Sequence, residues 1–373
     1  MQLNFLGFIT PNTSYGICSL EIVKSLFEND VEVSIFPLNN IYKEEELLIQ
    51  KIYKEDTNLF VRGVQNSKLH FDINAPSIRL CHQNMLAEHV SRKLRIGFPI
   101  FECTKFKDDE LQHLRSQDKL FVTSSWARDI ILDNNISVPV DVVSLGVNRN
   151  IFNESVDPVI PKTKTTKFIN IGKWEYRKGH DILIEAFNKA FTKNDDVQLV
   201  MMPHNFFLTK EEESYWLQKY YNSPLGNKIN IIGRVETPEQ VASVIASCDC
   251  GVFPYRAEGF CLPLLDCMSM GLHTIATNYS APTQYIDEPT TNLIDVDDFE
   301  VANDNKWFKG NVGGWANLGE SQLDQLIHHM RTIHKLKQNG LLTKNEVGIQ
   351  KSLSYTWDQT TRWIKYHASE RTS

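Results

Sequence analysis

The first half of the chain alternates continuous apolar runs with stretches in which apolar residues recur at helical spacing. Leu3 to Ile9 predicts a buried strand, Thr10 to Gly16 is rich in turn-forming residues, and Ile17 to Phe27 predicts a helix. Further predicted strands are Val31 to Phe36, Ile78 to Cys81, Leu94 to Ile100, Leu120 to Thr123 and Val140 to Val143, and further predicted helices are Met85 to Arg92 and Trp126 to Asn134. Buried strands that alternate with amphipathic helices indicate a parallel sheet covered on both faces.

The alternation stops between Asn153 and Lys167, where prolines, lysines and threonines replace the apolar pattern. This composition is typical of a connection between domains. The pattern then resumes, with predicted strands at Phe168 to Ile171, Val197 to Met201, Ile229 to Ile232, Gly251 to Pro254 and Thr274 to Thr277. The predicted helices of this half are Asp181 to Phe191, Glu211 to Tyr221, Thr237 to Ser247 and Pro263 to Met270, followed by Trp357 to His367 near the end of the sequence.

A length of 373 residues exceeds what one hydrophobic core usually supports, so we predict two domains. The first spans residues 1–152, and a helix at about residues 354–370 is expected to pack back on it; the second spans residues 167–353. Both are expected to be Rossmann-like, doubly wound α/β domains that face a cleft. In such folds ligand-binding groups converge at the carboxyl ends of the strands.

Composition restricts the class of protein further. Hydrophobic residues make up 42% of the chain and charged residues 23%, which is the balance of a soluble globular protein, and no run of 18 apolar residues supports a transmembrane segment. The net charge of -7 gives no general attraction to nucleic acid. The seven cysteines form no Cys-x-x-Cys pair, so we expect buried, reduced thiols in a cytoplasmic protein.

The segment from Glu258 to Asp266 carries the strongest chemical signal. Gly259 permits an unusual backbone angle, Pro263 suits the first turn of a helix, and amide groups at a helix start point toward an anion. We interpret this geometry as a diphosphate site, in which Asp266 could accept hydrogen bonds from a ribose. A simpler interpretation is a helix start whose acidic residues favour the helix dipole.

A second glycine-rich loop follows the strand Phe168 to Ile171 and pairs glycine with lysine twice. Lys173 follows Gly172, and Lys178 precedes Gly179, just before the next helix. Cations in such a place could neutralise a leaving diphosphate. The alternative is a solvated surface loop.

Together these residues resemble the motifs of the retaining glycosyltransferases of family 4, which have the GT-B fold. In the second half the resemblance lies in Gly172-Lys173, Lys178-Gly179, Glu258-Gly259-Phe260-x-Leu262-Pro263-x-x-Asp266 and Met270-Gly271. In the first half it lies in Ile96-Gly97-Phe98, Glu102, Val122-Thr123-Ser124-Ser125-Trp126, Val143-Ser144-Leu145-Gly146-Val147-Asn148 and Phe152. The resemblance covers most of the chain, is clearer in the second half, and implies GT-B architecture.

The resemblance also implies roles for the matched residues. Lys173, where the family usually has arginine, and Lys178 would hold the diphosphate of a nucleoside diphosphate sugar, which is expected to be linked to UDP or GDP. Glu258 would contact the sugar hydroxyls, and Asp266 would hold the ribose. The residues implied to bind the donor are Gly16, Gly172, Gly259, Phe260, Cys261, Leu262 and Asp266, and those implied to act in catalysis are Lys173, Lys178, Glu258 and Glu102.

Three departures from the family pattern are visible. Asp266 replaces the second glutamate of the family's pair and is one methylene shorter, and Cys261 replaces a usual glycine. The histidine that many members present from the first domain has no firm match. His82 is a candidate, with a core histidine at a strand end as the simpler interpretation, and Glu102 lies where related sequences also carry an acidic group.

The leading hypothesis is transfer of a sugar to an acceptor hydroxyl with retention at the anomeric carbon, without a resident cofactor or an essential divalent metal ion. Asp295-Val296-Asp297-Asp298 resembles a metal-binding Asp-x-Asp, but it is predicted to be a surface loop. Alternatives are a sugar-nucleotide epimerase or phosphorylase, and a non-catalytic sugar-nucleotide sensor.

The acceptor is expected to be a glycan or another saccharide. The alternative is a hydroxylated DNA base, because residues 89–119 are basic and Phe98, Phe101 and Phe106 could stack in place of a flipped base. The basic residues of that stretch are Arg92, Lys93, Arg95, Lys105, Lys107, Arg115 and Lys119. The alternative to this interpretation is a set of solvated helix faces.

Overall fold

A computed structural model describes residues 1–310 and 312–369 of the chain. It divides into two compact units, the first formed by residues 1–146 together with residues 355–369, and the second by Val147–Ser354. The segment predicted to connect two domains, Asn153 to Lys167, lies within the second unit, and its last two residues already belong to a strand.

The first unit contains a six-stranded sheet in which every pairing is parallel. Its strands are β1 (Gln2–Gly7), β2 (Glu32–Pro37), β3 (Ser77–Cys81), β4 (Arg95–Pro99), β5 (Lys119–Val122) and β6 (Val140–Val142), in the order β2-β1-β3-β4-β5-β6. Its helices are α1 (Ser14–Glu28), α2 (Lys43–Tyr53), α3 (Thr57–Leu69), α4 (Asp108–Arg115) and α5 (Ser125–Asp133). The order reverses between β1 and β3, where loops that follow the strands can hold a ligand.

The predicted helix from Met85 to Arg92 is wrong. A short 3-10 turn spans Gln83–Met85, and the chain is irregular after it. The buried Arg79 side chain donates to the Met85 carbonyl oxygen, and Gln117 Nε2 donates to the Leu86 carbonyl oxygen at 3.1 Å. Side chains therefore satisfy carbonyl groups that a helix would have bonded internally.

Helices α2 and α3 were not predicted because little of either is buried. Only Ile49 and Tyr53 of α2, and Phe60 and Gly63 of α3, are buried. A helix that buries so few residues lacks the apolar stripe on which periodicity depends.

The second unit contains a second six-stranded parallel sheet and a small antiparallel hairpin. Its strands are β7 (Thr166–Ile171), β8 (Val197–Met202), β9 (Ile229–Ile231), β10 (Cys250–Phe253), β11 (His273–Thr277), β12 (Asn292–Ile294), β13 (Phe299–Val301) and β14 (Gly314–Ala316). Its helices are α6 (His180–Ala190), α7 (Lys210–Tyr221), α8 (Pro238–Ala246), α9 (Leu262–Ser269), α10 (Glu320–Gln338) and α11 (Glu346–Ser352).

The core of the second unit lies between the sheet and helices α6 and α10. Phe168 on β7 and Leu199 on β8 pack with Phe187 of α6 and Leu326 of α10 in one buried cluster. The strand order is β12-β11-β10-β7-β8-β9, which reverses between β7 and β10. The two parallel sheets confirm the predicted Rossmann-like α/β class, and they place the loops after β7 and β10 at a ligand-binding position.

A last helix, α12 (Trp357–Ser369), returns to the first unit as predicted. Ser25 of α1 donates to the Trp357 carbonyl oxygen at 3.2 Å, and Thr360 donates to the Ser144 carbonyl oxygen at 2.8 Å. Gly146 lies directly against this helix start, since a Cβ placed on it would be 2.3 Å from the Trp357 amide nitrogen. Only glycine permits this approach of the two backbones.

We predict that Gly146→Ala destabilises the first unit. A Cβ at this position meets main-chain atoms, so the backbone must shift, and overpacking of this kind costs about 1–3 kcal/mol. Thermal unfolding should show a Tm lower by several degrees, at about 2–4 °C per kcal/mol. Gly233→Ala is the matched control, because a Cβ there meets nothing within 4 Å. Equal Tm values for the two variants would contradict the packing described.

Candidate functional site

The loops after β7 and β10 touch each other through their backbones. Gly179 ends the first loop with a φ of +71°, and a Cβ on it would lie 1.8 Å from the Pro254 carbonyl oxygen. The amide of Arg256 donates to the carbonyl oxygen of Arg177 at 2.7 Å, and the Arg177 guanidinium donates to that of Ala257 at 2.7 Å. Gly172, by contrast, tolerates a Cβ, whose nearest neighbour would be 3.4 Å away.

Five charged side chains meet where these loops touch. Lys178 Nζ pairs with Glu258 Oε1, and Arg177 Nη1 lies 3.5 Å from Glu258 Oε2. The carboxylate of Glu175 lies 2.7 Å from Arg177 Nη2 and 3.1 Å from Lys173 Nζ. Three cations therefore face two carboxylates, which leaves one net positive charge in a mostly buried cluster.

The pKa shifts of Glu175 and Lys178 favour the ionised forms of these two side chains. Burial on its own would raise the pKa of Glu175, but Arg177, followed by Lys173 and Lys178, lowers it to about 2. Burial on its own would lower the pKa of Lys178, but the charge of Glu258 outweighs it and the pKa is raised. The charges of Glu175 and Lys178 are thus stabilised by neighbouring charged side chains rather than by water.

Behind the first loop, His180 is fully buried and holds the loop to the sheet. Its Nε2 lies 3.1 Å from Asn170 Oδ1 on β7, and its Nδ1 accepts a hydrogen bond from the Glu175 amide at 3.4 Å. Burial, followed by the charge of Lys178, lowers the pKa of His180 to about 3. The imidazole is therefore neutral, donates from Nε2 and positions the backbone of Glu175.

The segment from Glu258 to Asp266 begins with a strained turn, and from Leu262 on it belongs to α9. Cys261 precedes this helix with a φ of +63°, and Ser280, whose Oγ accepts from the Glu258 amide at 2.9 Å, has a φ of +61°. Tyr285 donates its hydroxyl to the Phe260 and Cys261 carbonyl oxygens, 2.7 and 2.9 Å away. Non-glycine residues with positive φ are costly, and they cluster at functional sites.

The structure thus brings Lys173, Lys178 and Glu258 together. Gly259, Phe260 and Cys261 are buried in the same turn, and Leu262 and Asp266 lie half-buried on α9. Their roles in binding a ligand stay predictions.

Sequence reasoning missed three charged residues of this site: Glu175, Arg177 and Arg256. Arg256 forms a bidentate pair with Asp181 at 2.8 Å, lies 2.7 Å from Glu300 and stacks 3.5 Å over the ring of Tyr176. It therefore ties the hairpin strand β13 to the start of α6. The sequence contained a signal for both arginines, because Arg177 lies within the first glycine-rich loop and Arg256 lies two residues before Glu258.

In the first unit, Gly16 lies in the first turn of α1, where a Cβ would be 1.9 Å from the Thr10 carbonyl oxygen. Beside it, the ring of Tyr15 lies 4.4 Å from that of His82. Burial, followed by the charge of Glu102, raises the pKa of Tyr15. His82 follows β3 and is exposed, so its interpretation as a core histidine is wrong, and Glu102 follows the neighbouring strand β4.

The interpretation of residues 89–119 as a basic, stacking surface is wrong for its aromatic part. Phe98, Phe101 and Phe106 are buried, and they pack against other rings of the first unit. Two of the basic residues are also engaged, since Lys119 is buried 2.9 Å from a carboxylate and Arg95 pairs with another at 2.8 Å. None of the three phenylalanines is available to replace a flipped base.

The Asp295 to Asp298 segment anchors a surface loop. All three aspartates are exposed, and each accepts a hydrogen bond from an amide side chain: Asp295 from Asn278, Asp297 from Gln322 and Asp298 from Asn317.

Known proteins similar to this chain point to one enzyme class. Residues 152–304, which contain both loops, match the family described as glycosyl transferases group 1. "Putative glycosyltransferase 45" of Sulfolobus islandicus filamentous virus is 21% identical over 288 residues, which cover 74% of this chain and 68% of that protein.

Solved structures are similar in fold to this chain over nearly its full length. Sucrose-phosphate synthase from Thermosynechococcus elongatus has a TM-score of 0.68 at 13% identity, with 98% of both chains covered. Anabaena HepE, solved with UDP and glucose, has a TM-score of 0.66 at 14% identity, with 100% of both chains covered. The chain has the GT-B fold. Together with the family match, this fold supports a glycosyltransferase.

Two further findings concern the residues that the structure describes. All seven cysteines lie in the described residues, where they are buried free thiols. Across residues 1–310 and 312–369, the helices are too short or too polar for any of them to cross a membrane.

We predict that Cys261→Gly is more stable than Cys261→Ala. Both variants lose the buried thiol, but only glycine relieves the positive φ, which costs a non-glycine residue about 1–2 kcal/mol. At Cys250, in the buried strand β10, the order should reverse, since glycine in a strand costs about 0.5–1 kcal/mol relative to alanine. Urea unfolding of the four variants measures both differences. A more stable alanine variant at position 261 would contradict the strained turn.

We also predict that the stabilising effect of His180 depends on pH. Its pKa is lower in the folded protein than in the unfolded chain, so the stabilisation is present above about pH 6.5 and is lost as the pH falls toward 3. The stability difference between the wild type and His180→Asn, measured by denaturant titration, should therefore narrow from pH 7 to pH 4. A difference that stays constant would mean that the imidazole is not buried in its neutral form.

Proposed function

We propose that the protein is a retaining glycosyltransferase, similar to those of family 4, that transfers a sugar from a nucleoside diphosphate sugar to an acceptor hydroxyl. The observation that carries this proposal is the charged cluster of Lys173, Arg177, Lys178 and Glu258 on two loops at the switch point of the second sheet. Three cations suit a diphosphate, and a carboxylate beside them suits sugar hydroxyls.

In this proposal, the bound donor replaces one of the ion pairs within the charged cluster. Lys178 and Arg177 both pair with Glu258, so neither charge is left buried and uncompensated. The leaving diphosphate would take the place of Glu258 as the partner of Lys178, and Glu258 would then accept hydrogen bonds from the sugar. Lys173 would hold the same diphosphate, and Asp266 would hold the ribose.

The proposed chemistry is a front-face displacement. The bond between the anomeric carbon and the diphosphate oxygen breaks, and the acceptor oxygen bonds to the same face of that carbon. The acceptor proton moves to the leaving phosphate oxygen, whose charge Lys173, Arg177 and Lys178 stabilise. Arg177 would stay beside Glu258 when the donor is bound, which favours a hydroxyl-binding role over that of a covalent nucleophile.

These cations can balance the charge that a divalent ion balances in other transferases, so we propose a metal-independent reaction. UDP-glucose is the first donor to test, because HepE was solved with UDP and glucose, and a GDP-sugar is the second. The proposed acceptor is a saccharide. The aromatic residues assigned to base stacking are buried, which removes the structural support for a hydroxylated DNA base as the acceptor.

The product of the reaction tests this function. Purified protein incubated with UDP-glucose or GDP-mannose and a panel of oligosaccharides should form a glycoside with the anomeric configuration of the donor, as read by proton NMR, and EDTA should not stop the reaction. An inverted product would contradict the front-face step. Tight donor binding without transfer to any acceptor would favour a sensor, and a changed donor sugar would favour an epimerase.

We predict that Lys178→Ala lowers kcat by about 10²–10³-fold, the usual effect of removing one donor to a developing negative charge. Glu258 keeps Arg177 as a partner in this variant, so folding should persist, which thermal unfolding checks. Lys189→Ala is the matched control, since Lys189 is an exposed residue of α6 that pairs with Glu185. Wild-type turnover in folded Lys178→Ala would overturn the assignment.

A further inference from the structure

An aromatic platform lies on the surface of the second unit. It consists of Phe206 and Phe207, in the loop after β8, and Trp307, between β13 and β14. These residues are 48%, 44% and 55% exposed, and their neighbouring ring centroids are 4.4 Å (Phe206 to Phe207) and 5.6 Å (Phe207 to Trp307) apart. Large apolar side chains that cluster at a surface mark binding sites.

Buried and charged groups hold the Phe206–Phe207 loop in place. Asn205 is buried, donates to the Trp174 carbonyl oxygen at 3.0 Å and accepts from the Phe207 amide at 3.1 Å. Lys306 Nζ donates to the Phe207 carbonyl oxygen at 2.9 Å and thereby connects the two parts of the platform. The loop does not need to be ordered by a ligand, which lowers the cost of binding.

Trp307 is fixed by a single carboxylate. Asp304 Oδ1 accepts hydrogen bonds from three successive amides, those of Lys306, Trp307 and Phe308, each at 2.8 Å. The turn that carries the Trp307 indole is therefore held by hydrogen bonds from its own backbone amides to Asp304.

Positive charge lies at the edge of this platform. Lys173 Nζ is 5.4 Å from the centroid of the Phe207 ring and 3.1 Å from Glu175 in the charged cluster. On the other side, the neighbouring positive charge is that of Arg234, which after burial lowers the pKa of His204, whose ring lies 5.8 Å from that of Phe206. A flat nucleobase that is joined to a negatively charged phosphate complements both the aromatic rings and the positive charge.

We propose that Phe206, Phe207 and Trp307 stack the nucleobase of a nucleoside phosphate whose phosphate lies at Lys173. Stacking on aromatic side chains accepts any base, because every base has a π face. This inference rests on the proposed function in treating Lys173 as a phosphate ligand. The same chemistry belongs to the nucleoside of the sugar donor and to a base of single-stranded nucleic acid, so the test must separate the two sources.

Calorimetric titration of purified protein tests the platform. The probes are UDP, GDP, inorganic pyrophosphate and a short 5′-phosphorylated thymidine oligonucleotide. The double variant Phe206→Ala/Trp307→Ala should bind UDP and GDP at least about tenfold more weakly than the wild type, while pyrophosphate binding is unchanged. Tyr215→Ala, which removes another exposed aromatic residue of this unit, should bind all probes as the wild type does.

The outcomes separate the source of the base and the fate of the proposed function. Weaker oligonucleotide binding with unchanged UDP and GDP binding would support the platform with nucleic acid as its ligand. Wild-type affinity of the double variant for all three base-containing probes would overturn it. Sugar transfer by the wild type is measured in parallel. If the wild type transfers sugar and the double variant binds nucleotides with wild-type affinity, the platform alone is contradicted. Platform-dependent nucleotide binding without transfer contradicts the proposed transferase instead.

Discussion

The charged site depends on the contact between the loops after β7 and β10, which requires glycine at position 179. The carbonyl oxygen of Pro254 occupies the space that a side chain would need there. Without this approach, Lys178 and Glu258 would not lie on facing loops, and their charges would need water instead of each other. One backbone contact thus determines where the chain can bury opposite charges.

Burial of charge explains why this site has five charged members and why their arrangement is alternating. An unpaired ion costs far more in a protein interior than at a surface, so each carboxylate serves two cations. Glu175 joins Lys173 to Arg177, and Glu258 joins Arg177 to Lys178. Arg177 is the link between the two carboxylates, and a loop that presented only the two lysines would leave them unconnected.

The sequence predicted the sheet-forming strands well because buried parallel strands are continuous apolar runs. It also located Lys173, Lys178 and Glu258, because glycine and proline mark the loops that carry them. It could not show that Phe101 and Phe106 face the core, since they lie outside the predicted strands and among basic residues, whereas the predicted strand from Leu94 to Ile100 already indicated that Phe98 is buried. Helix α10 is absent from the predicted elements, although the sequence contains a signal for it. Its buried apolar residues recur at helical spacing: Leu323, Leu326, Met330 and Ile333. The φ of Cys261 and the partners of Asp304 depend on tertiary contacts that periodicity does not report.

The return of α12 to the first unit has a consequence for the order of folding during synthesis. The second unit is formed by one continuous segment, whereas the first needs residues on both sides of that segment. Ser25 forms its hydrogen bond with Trp357, and Ser144 forms its hydrogen bond with Thr360. More than 200 residues separate the two members of each pair. As the ribosome releases the chain, the unit that is synthesised first therefore becomes complete only after the other one has emerged.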